Sequence, residues 1–251
     1  MKTVLLQPVA HRIDVVFSGK KVALPEKIVY QIERNWELLI GNRPSLRRGV
    51  VFTVSKINMQ NDQLQVVLDE TDYAHYMFTL ENELQEEYAC KVLYTSAILE
   101  TSDGFVSFGK MASHTSTPNR FQCVGGGLDF SDVDHGKFNI LGNISKEIEE
   151  EVGLSVHTSQ KVNAITPYLL KSGGDHNFLA VIFRVSLALT GDELRAHFRL
   201  YTEELLQRNE RPEFSQLEIM RVTKNTICTF STTHTCVDYL VPLLERMLLA
   251  V

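Results

Sequence analysis

Apolar residues recur along the chain with two periods, and the switches between them divide it into elements. Alternating or continuous apolar runs mark strands at Val4 to Leu6, Ile13 to Phe17, Val50 to Ile57, Leu64 to Leu68, Lys91 to Leu99, Phe105 to Gly109, Val162 to Leu170 and Phe178 to Leu189. Helical spacing appears in Ile28, Ile32, Trp36 and Leu39, where Pro25 suits a first turn and Gly41-Asn42 a stop. Trp36, the only tryptophan, lies on that stripe and is predicted to anchor a core. Leu141, Ile144, Ile148 and Val152 form a second i, i+4 stripe, after which Gly153 suits a left-handed cap and Leu154 re-enters the core. A third helix starts at Gly191-Asp192 and runs through Phe198, Thr202-Glu203-Glu204 is placed to cap another, and an amphipathic helix from about Cys236 to Leu249 closes the chain. Met59-Gln60-Asn61-Asp62 and Ser102-Asp103-Gly104 read as hairpin turns. Asp69 to Tyr76, polar and aromatic together, reads as a surface turn or as the lining of a site. Charge rises from Glu81 to Tyr88, so the boundary is placed at residue 90: a smaller N-terminal α+β subdomain over 1–90, and a larger α/β domain with a mixed sheet over 91–251.

The chemistry concentrates between those stripes. At about 100° per residue, Glu150 falls about 60° to one side of Glu147 and Glu151 about 40° to the other, so three carboxylates share one arc while Glu149 points away. Like charges this close repel and weaken a helix, and a divalent cation held by carboxylate oxygens is the natural reason to keep them together. Upstream, Gly125-Gly126-Gly127-Leu128-Asp129 gives a loop able to turn tightly at the base of that helix. Asp129, Asp132 and Asp134 follow it, either approaching the cation site or serving as ordinary turn formers.

The glycine loop with Lys146-Glu147-Ile148-Glu149-Glu150-Glu151-Val152-Gly153-Leu154 resembles the Nudix box, in which a glycine-glycine loop precedes a helix ending Arg-Glu-aliphatic-x-Glu-Glu-x-Gly-aliphatic. Lys146 stands for the usual Arg. The first half departs: the Glu normally eight residues earlier is Phe138, and the loop carries an insertion. The resemblance implies an α/β/α sandwich and metal-dependent hydrolysis of a pyrophosphate. It implies Glu147, Glu150 and Glu151 as ligands of Mg²⁺ or Mn²⁺, one of them or a loop acid as general base, and Lys146 as a charge orienting a neighbouring carboxylate. Gly126 and Gly127 would lie against the substrate. Ala97 to Lys110 looks like the opening hairpin of such a domain, and Arg211 to Ile219 like its late loop and strand.

Composition narrows the setting. A net charge of −6 with no basic block argues against a nonspecific nucleic-acid or membrane surface. An anionic substrate then needs a local device such as a metal. Cys90, Cys123, Cys228 and Cys236 lack zinc spacing and read as thiols, while Met1 to Pro8 is too short an apolar run for a signal peptide, so a cytoplasmic setting is expected.

Over most of its length, including the single-Trp helix, the elongated glycine loop and Ser186 to Phe198, the chain resembles the Nudix subgroup that hydrolyses UDP-sugars. This implies cleavage of UDP-glucose or UDP-galactose to UMP and a sugar 1-phosphate. Asp72 and Tyr73 in the N-terminal segment and His176 at a strand mouth are the candidate substrate contacts, although a surface histidine is the commoner reading of His176. Two alternatives stand beside this: a Nudix hydrolase for ADP-ribose or another nucleoside diphosphate derivative, and a non-catalytic nucleotide-binding protein on the same scaffold. The expected partner is a small nucleoside diphosphate compound; base, sugar and oligomeric state are open.

Overall fold

The computed structural model describes residues 3–9, 12–44, 46–60, 62–115, 117–156 and 160–249, so Met1, Lys2, and Asn61 of the first hairpin turn lie outside the described residues. Twelve strands and six α-helices are described, in the order β1 (Val4–Pro8), β2 (Arg12–Lys21), α1 (Glu26–Asn42), β3 (Val50–Gln60), β4 (Gln63–Asp72), α2 (Tyr73–Glu81), β5 (Leu93–Glu100), β6 (Val106–Met111), β7 (Phe121–Gln122), β8 (Val133–Asp134), β9 (Lys137–Phe138), α3 (Ile140–Val152), β10 (Val162–Gly173), β11 (Leu179–Leu187), α4 (Gly191–Gln207), β12 (Phe214–Met220), α5 (Lys224–Thr233) and α6 (Leu240–Leu249). No described helix is long and apolar enough to cross a membrane.

The strands form two mixed sheets. The larger runs β1-β10-β11-β5-β6-β12 with β7 beside β6, and the smaller runs β3-β4-β2-β9-β8. Each contains one parallel pair, β11 with β5 and β2 with β4, and antiparallel neighbours otherwise. Alternation along β5 explains the layering. Leu93, Ala97 and Leu99 face α3, where Ile144, Ile148 and Val152 are wholly buried, whereas Ile98 faces Leu240, Leu243 and Leu244 of α6. Helices thus cover both faces of the larger sheet. The mixed α/β architecture expected from the sequence is present.

The segments before and after residue 90 exchange strands. β1 extends the larger sheet beside β10, and β9 extends the smaller one beside β2. Both sheets also contribute to one hydrophobic cluster, which holds Phe52, Leu64 and Val66 together with Leu93, Ile148 and Phe183.

Four local expectations are corrected. Asp69 to Tyr76 is no surface turn: β4 runs to Asp72, whose carboxylate accepts the His75 N–H at 2.9 Å and caps α2, burying Ala74, His75, Met77 and Phe78. Thr202-Glu203-Glu204 caps nothing, because α4 begins at a Thr190/Glu193 capping box and continues past them to Gln207. The closing helix starts at Leu240, and a threonine-rich α5 precedes it. Leu141 is 49 % exposed: in the first turn of α3 it is the neighbouring Ile140 that packs against the core. Trp36, by contrast, is buried with Ile32, Ala74 and Phe78 as its stripe predicts.

Candidate active site

The site is built where β5, the glycine loop and the C-terminal half of α3 meet. Backbone pairing draws the loop along β5: the Thr95 N–H donates to the Gly126 carbonyl at 3.0 Å, and the Ala97 N–H to the Val124 carbonyl at 2.7 Å. This approach is possible only without a side chain at Gly125. Its φ is +149°, and a Cβ there would fall 2.1 Å from the Thr95 carbonyl oxygen. At Gly126 a Cβ would fall 2.5 Å from a Glu147 carboxylate oxygen, so the Glu147 carboxylate rests directly on the loop backbone. Gly127 is different, with open space where its Cβ would be; its carbonyl accepts from Asn143 Nδ2 at 3.1 Å.

α3 ends as its sequence predicts, with Gly153 in the left-handed region at φ 75°. Glu151, only 2 % exposed, accepts the Gly125 N–H at 2.8 Å. Burial pushes its carboxyl well above the usual carboxylate range, and Glu213 and Glu147 push it further as like charges. Glu147 is pushed up to about 7 by burial first and then by Glu150, against the lowering effect of Lys146. Glu213, exposed and just before β12, raises both Glu151 and Glu147 as a like charge. Glu149 and Glu150 are exposed, Glu150 at the rim of this group.

Lys146 acts on Glu147 only through its charge and makes its ion pairs with other acids. Its ammonium pairs with Asp129 at 3.1 Å and Asp132 at 3.4 Å, both in the inserted segment. Asp132 is 7 % exposed and also accepts from Asn143 at 3.0 Å, whereas Asp134 is exposed. Phe138, at the place of the absent box Glu, is a buried core residue packed on Phe52 with ring centroids 4.8 Å apart. Glu213 was not singled out from sequence; its only signal is its place in the Arg211 to Ile219 stretch.

The remaining candidates form a second group. Asp72 caps α2 and accepts from Arg48 at 2.8 Å, an arginine that also grips Glu33. Tyr73 meets Trp36 edge-on at 6.3 Å, then Tyr76 at 5.6 Å; Tyr76 stacks on Phe178 at 5.7 Å, and Phe178 on the exposed His176 at 5.3 Å. One aromatic column therefore joins Tyr73 to His176. A cleft of about 260 Å³ opens nearby between β3 and the β10–β11 turn, lined by residues including Lys56, Lys91, Asn177 and Leu179, and none of the α3 carboxylates lines it.

As to a metal, no three His, Cys, Asp or Glu side chains among the described residues are already gathered as a metal centre. The donor chemistry nevertheless fits a hard cation: Glu151, buried, and Glu147, half-buried, are carboxyls whose protonation is favoured first by burial and then by like charges, and a divalent ion would compensate them.

No family model matches the sequence, and no curated protein does. Solved structures that it resembles include a Deinococcus radiodurans protein, 13 % identical over 62 % of this chain and 82 % of that one, with a TM-score of 0.42. They also include a Nudix hydrolase from Nitrosomonas europaea, 13 % identical over 64 % and 89 %, with a TM-score of 0.36. The Nudix domain of Shewanella oneidensis NrtR, solved with ADP ribose, is 9 % identical over 68 % and 95 %, with a TM-score of 0.38. These are distant likenesses of chain course and assign no residue here.

Proposed function

We propose that this chain is a hydrolase that uses a divalent cation to cleave the pyrophosphate of a nucleoside diphosphate sugar, UDP-glucose or UDP-galactose, giving UMP and a sugar 1-phosphate. The observation that carries the reading is that two α3 carboxylates come to the glycine loop, Glu147 resting on Gly126 and buried Glu151 accepting the Gly125 N–H, while Lys146 pairs with Asp129 and Asp132. Glu147, Glu151 and Glu213, with Glu150 at the rim, would hold Mg²⁺ or Mn²⁺ through hard carboxylate oxygens. Bound there, the ion supplies charge neutralisation at the pyrophosphate and activation of water.

The chain's own residues do the rest. Gly126 leaves the Glu147 carboxylate lying on the loop, and the Gly125 N–H fixes one Glu151 oxygen. Glu147, whose carboxylate rests on the loop backbone, is the candidate general base. Gly127, free of steric demand and exposed, offers backbone to substrate phosphate. Cation and acids act on the pyrophosphate that all such substrates share, so selectivity for uracil needs a separate hydrogen-bonding surface. We assign it to the column of Tyr73, Tyr76 and His176, with Asp72 supporting it as the α2 cap.

The test is a panel of nucleoside diphosphate derivatives with Mg²⁺. UDP-hexoses should be cleaved far better than ADP-ribose, dinucleoside polyphosphates or nucleoside triphosphates, and excess chelator should stop the reaction. Preference for ADP-ribose would keep the hydrolase and remove the uridine assignment. Saturable UDP-glucose binding without turnover under any divalent metal would favour the non-catalytic reading.

A further inference from the structure

The inserted segment from Leu128 to Phe138 links two parts of the molecule that the sequence keeps apart, the N-terminal sheet and α3. Toward the N-terminal sheet, Val16 of β2 pairs with Lys137 of β9, and Lys137 Nζ donates to Asp14 at 3.0 Å, which holds the Asp14 carboxyl below its ordinary value. Phe130 and Phe138 close on Phe17 and Phe52 edge to face. Toward α3, Asp132 is buried and uses one oxygen for two donors, the Asp129 N–H at 2.9 Å and Asn143 Nδ2 at 3.0 Å.

Asn143 is the junction. It is wholly buried, and each of its polar atoms is engaged: Oδ1 accepts from the Thr95 hydroxyl of β5, while Nδ2 donates both to Asp132 and to the Gly127 carbonyl. A buried amide that is fully satisfied fixes the relative position of everything it touches. Here it touches the strand, the insertion and the glycine loop on which the Glu147 carboxylate rests, one helical turn further along α3.

We propose that Asp132 and Asn143 are positioning residues: they clamp Gly127, and through it they set the glycine loop beneath the carboxylates of α3, with the N-terminal sheet as the outer anchor of the clamp. Neither residue touches substrate. The proposal rests on the hydrolase reading for its effect on turnover, but not for its effect on the loop.

The experiment measures amide hydrogen exchange over Gly125 to Leu128, together with kcat and KM for UDP-glucose with Mg²⁺, in the full chain and in Asp132→Ala, Asp132→Asn and Thr95→Val. In Asp132→Ala, exchange in the loop should rise about tenfold relative to α5 and α6, and kcat should fall about tenfold or more with KM little changed. Asp132→Asn keeps an acceptor oxygen toward Asn143 and should recover most of both losses. Should Asp132→Ala fail to fold, Thr95→Val, which strips the hydroxyl from the other side of the same amide at almost constant volume, is expected to show the same local rise in exchange. Exchange that rises evenly over the whole chain, or a loop and kcat unchanged in the folded variants, would overturn the clamp. If the wild-type chain cleaves no nucleotide sugar the hydrolase reading fails by itself, and the exchange measurement still decides the clamp.

Discussion

Two groups of carboxylates flank α3, and they are treated oppositely. Asp129 and Asp132 on the insertion meet Lys146, Asn143 and backbone N–H groups, and the Asp129 carboxyl is held below its ordinary value despite burial. Glu147 and Glu151, one turn onward, meet each other and Glu213, and both are raised. Compensated acids are bound into the architecture. Uncompensated buried ones cost stability that nothing in the fold returns, and perturbed groups of that kind collect where a ligand supplies the missing charge.

The largest effect is expected at Glu151. Glu151→Gln should reduce turnover about a thousandfold, as removal of a group that stabilises charge in the transition state does. The metal-free fold should hold, because an amide in that place relieves like-charge crowding at Glu213. Thermal unfolding beside initial rates decides it. A variant that loses stability and activity together would place Glu151 with the compensated group.

Next is the pH dependence of the metal-free protein. The folded value of Glu147, about 7, lies above the ordinary 4.5, so the folded chain holds a proton that the unfolded chain releases across that window. The resulting stability is present below about 4.5 and is lost as pH rises through about 7, by up to about 3 kcal/mol. Urea unfolding at several pH values should show this decline in the wild type and a shallower one in Glu147→Gln. Added Mg²⁺ should flatten it.

Lys146→Met is expected to act in two directions. Loss of its partly exposed pairs with Asp129 and Asp132 should cost about 1 kcal/mol or less. Because Lys146 lowers Glu147, its removal should also move the acid limb of the rate profile to higher pH. A limb that does not move would show that Lys146 is electrically isolated from the acids.

How much of this was legible before the structure depends on the range of each signal. The stripes of α1 and α3, the Gly153 cap and most strands follow from local periodicity, which any 3.6- or 2-residue repeat carries within one element. The grouping of Glu147 with Glu151 was legible for the same reason. Its third member was not: Glu213 reaches the site only because β12 pairs with β6 beside β5, a nonlocal arrangement without a local mark. α2 escaped because its buried residues, Ala74, His75, Met77, Phe78 and Thr79, run nearly consecutively and mix polar with apolar, so no single stripe appears in Tyr73 to Glu81. Phe138 makes the point from the other side. At a position where the resemblance leads one to expect a charge, it looks like a loss until Phe17, Phe52 and Phe130 are seen around it.

The smallest expected effect tests the phase of α3 itself. Glu149 and Glu150 are adjacent, both exposed and chemically identical, so only their direction on the helix separates them. Glu150 is the strongest like-charge influence on Glu147, whereas Glu149 lies about 200° round the helix from it. Glu150→Gln should therefore lower the Glu147 value and shift the acid limb of the rate profile downward. Glu149→Gln should leave that limb in place, leave kcat/KM within about twofold and change stability by no more than about 0.5 kcal/mol. Paired pH–rate profiles of the two variants, collected with one substrate and one metal concentration, make the comparison. Equal shifts would mean that the surface charge of α3 acts as a diffuse whole, and a Glu149→Gln loss as deep as that of Glu151→Gln would place the functional face on the opposite side of the helix.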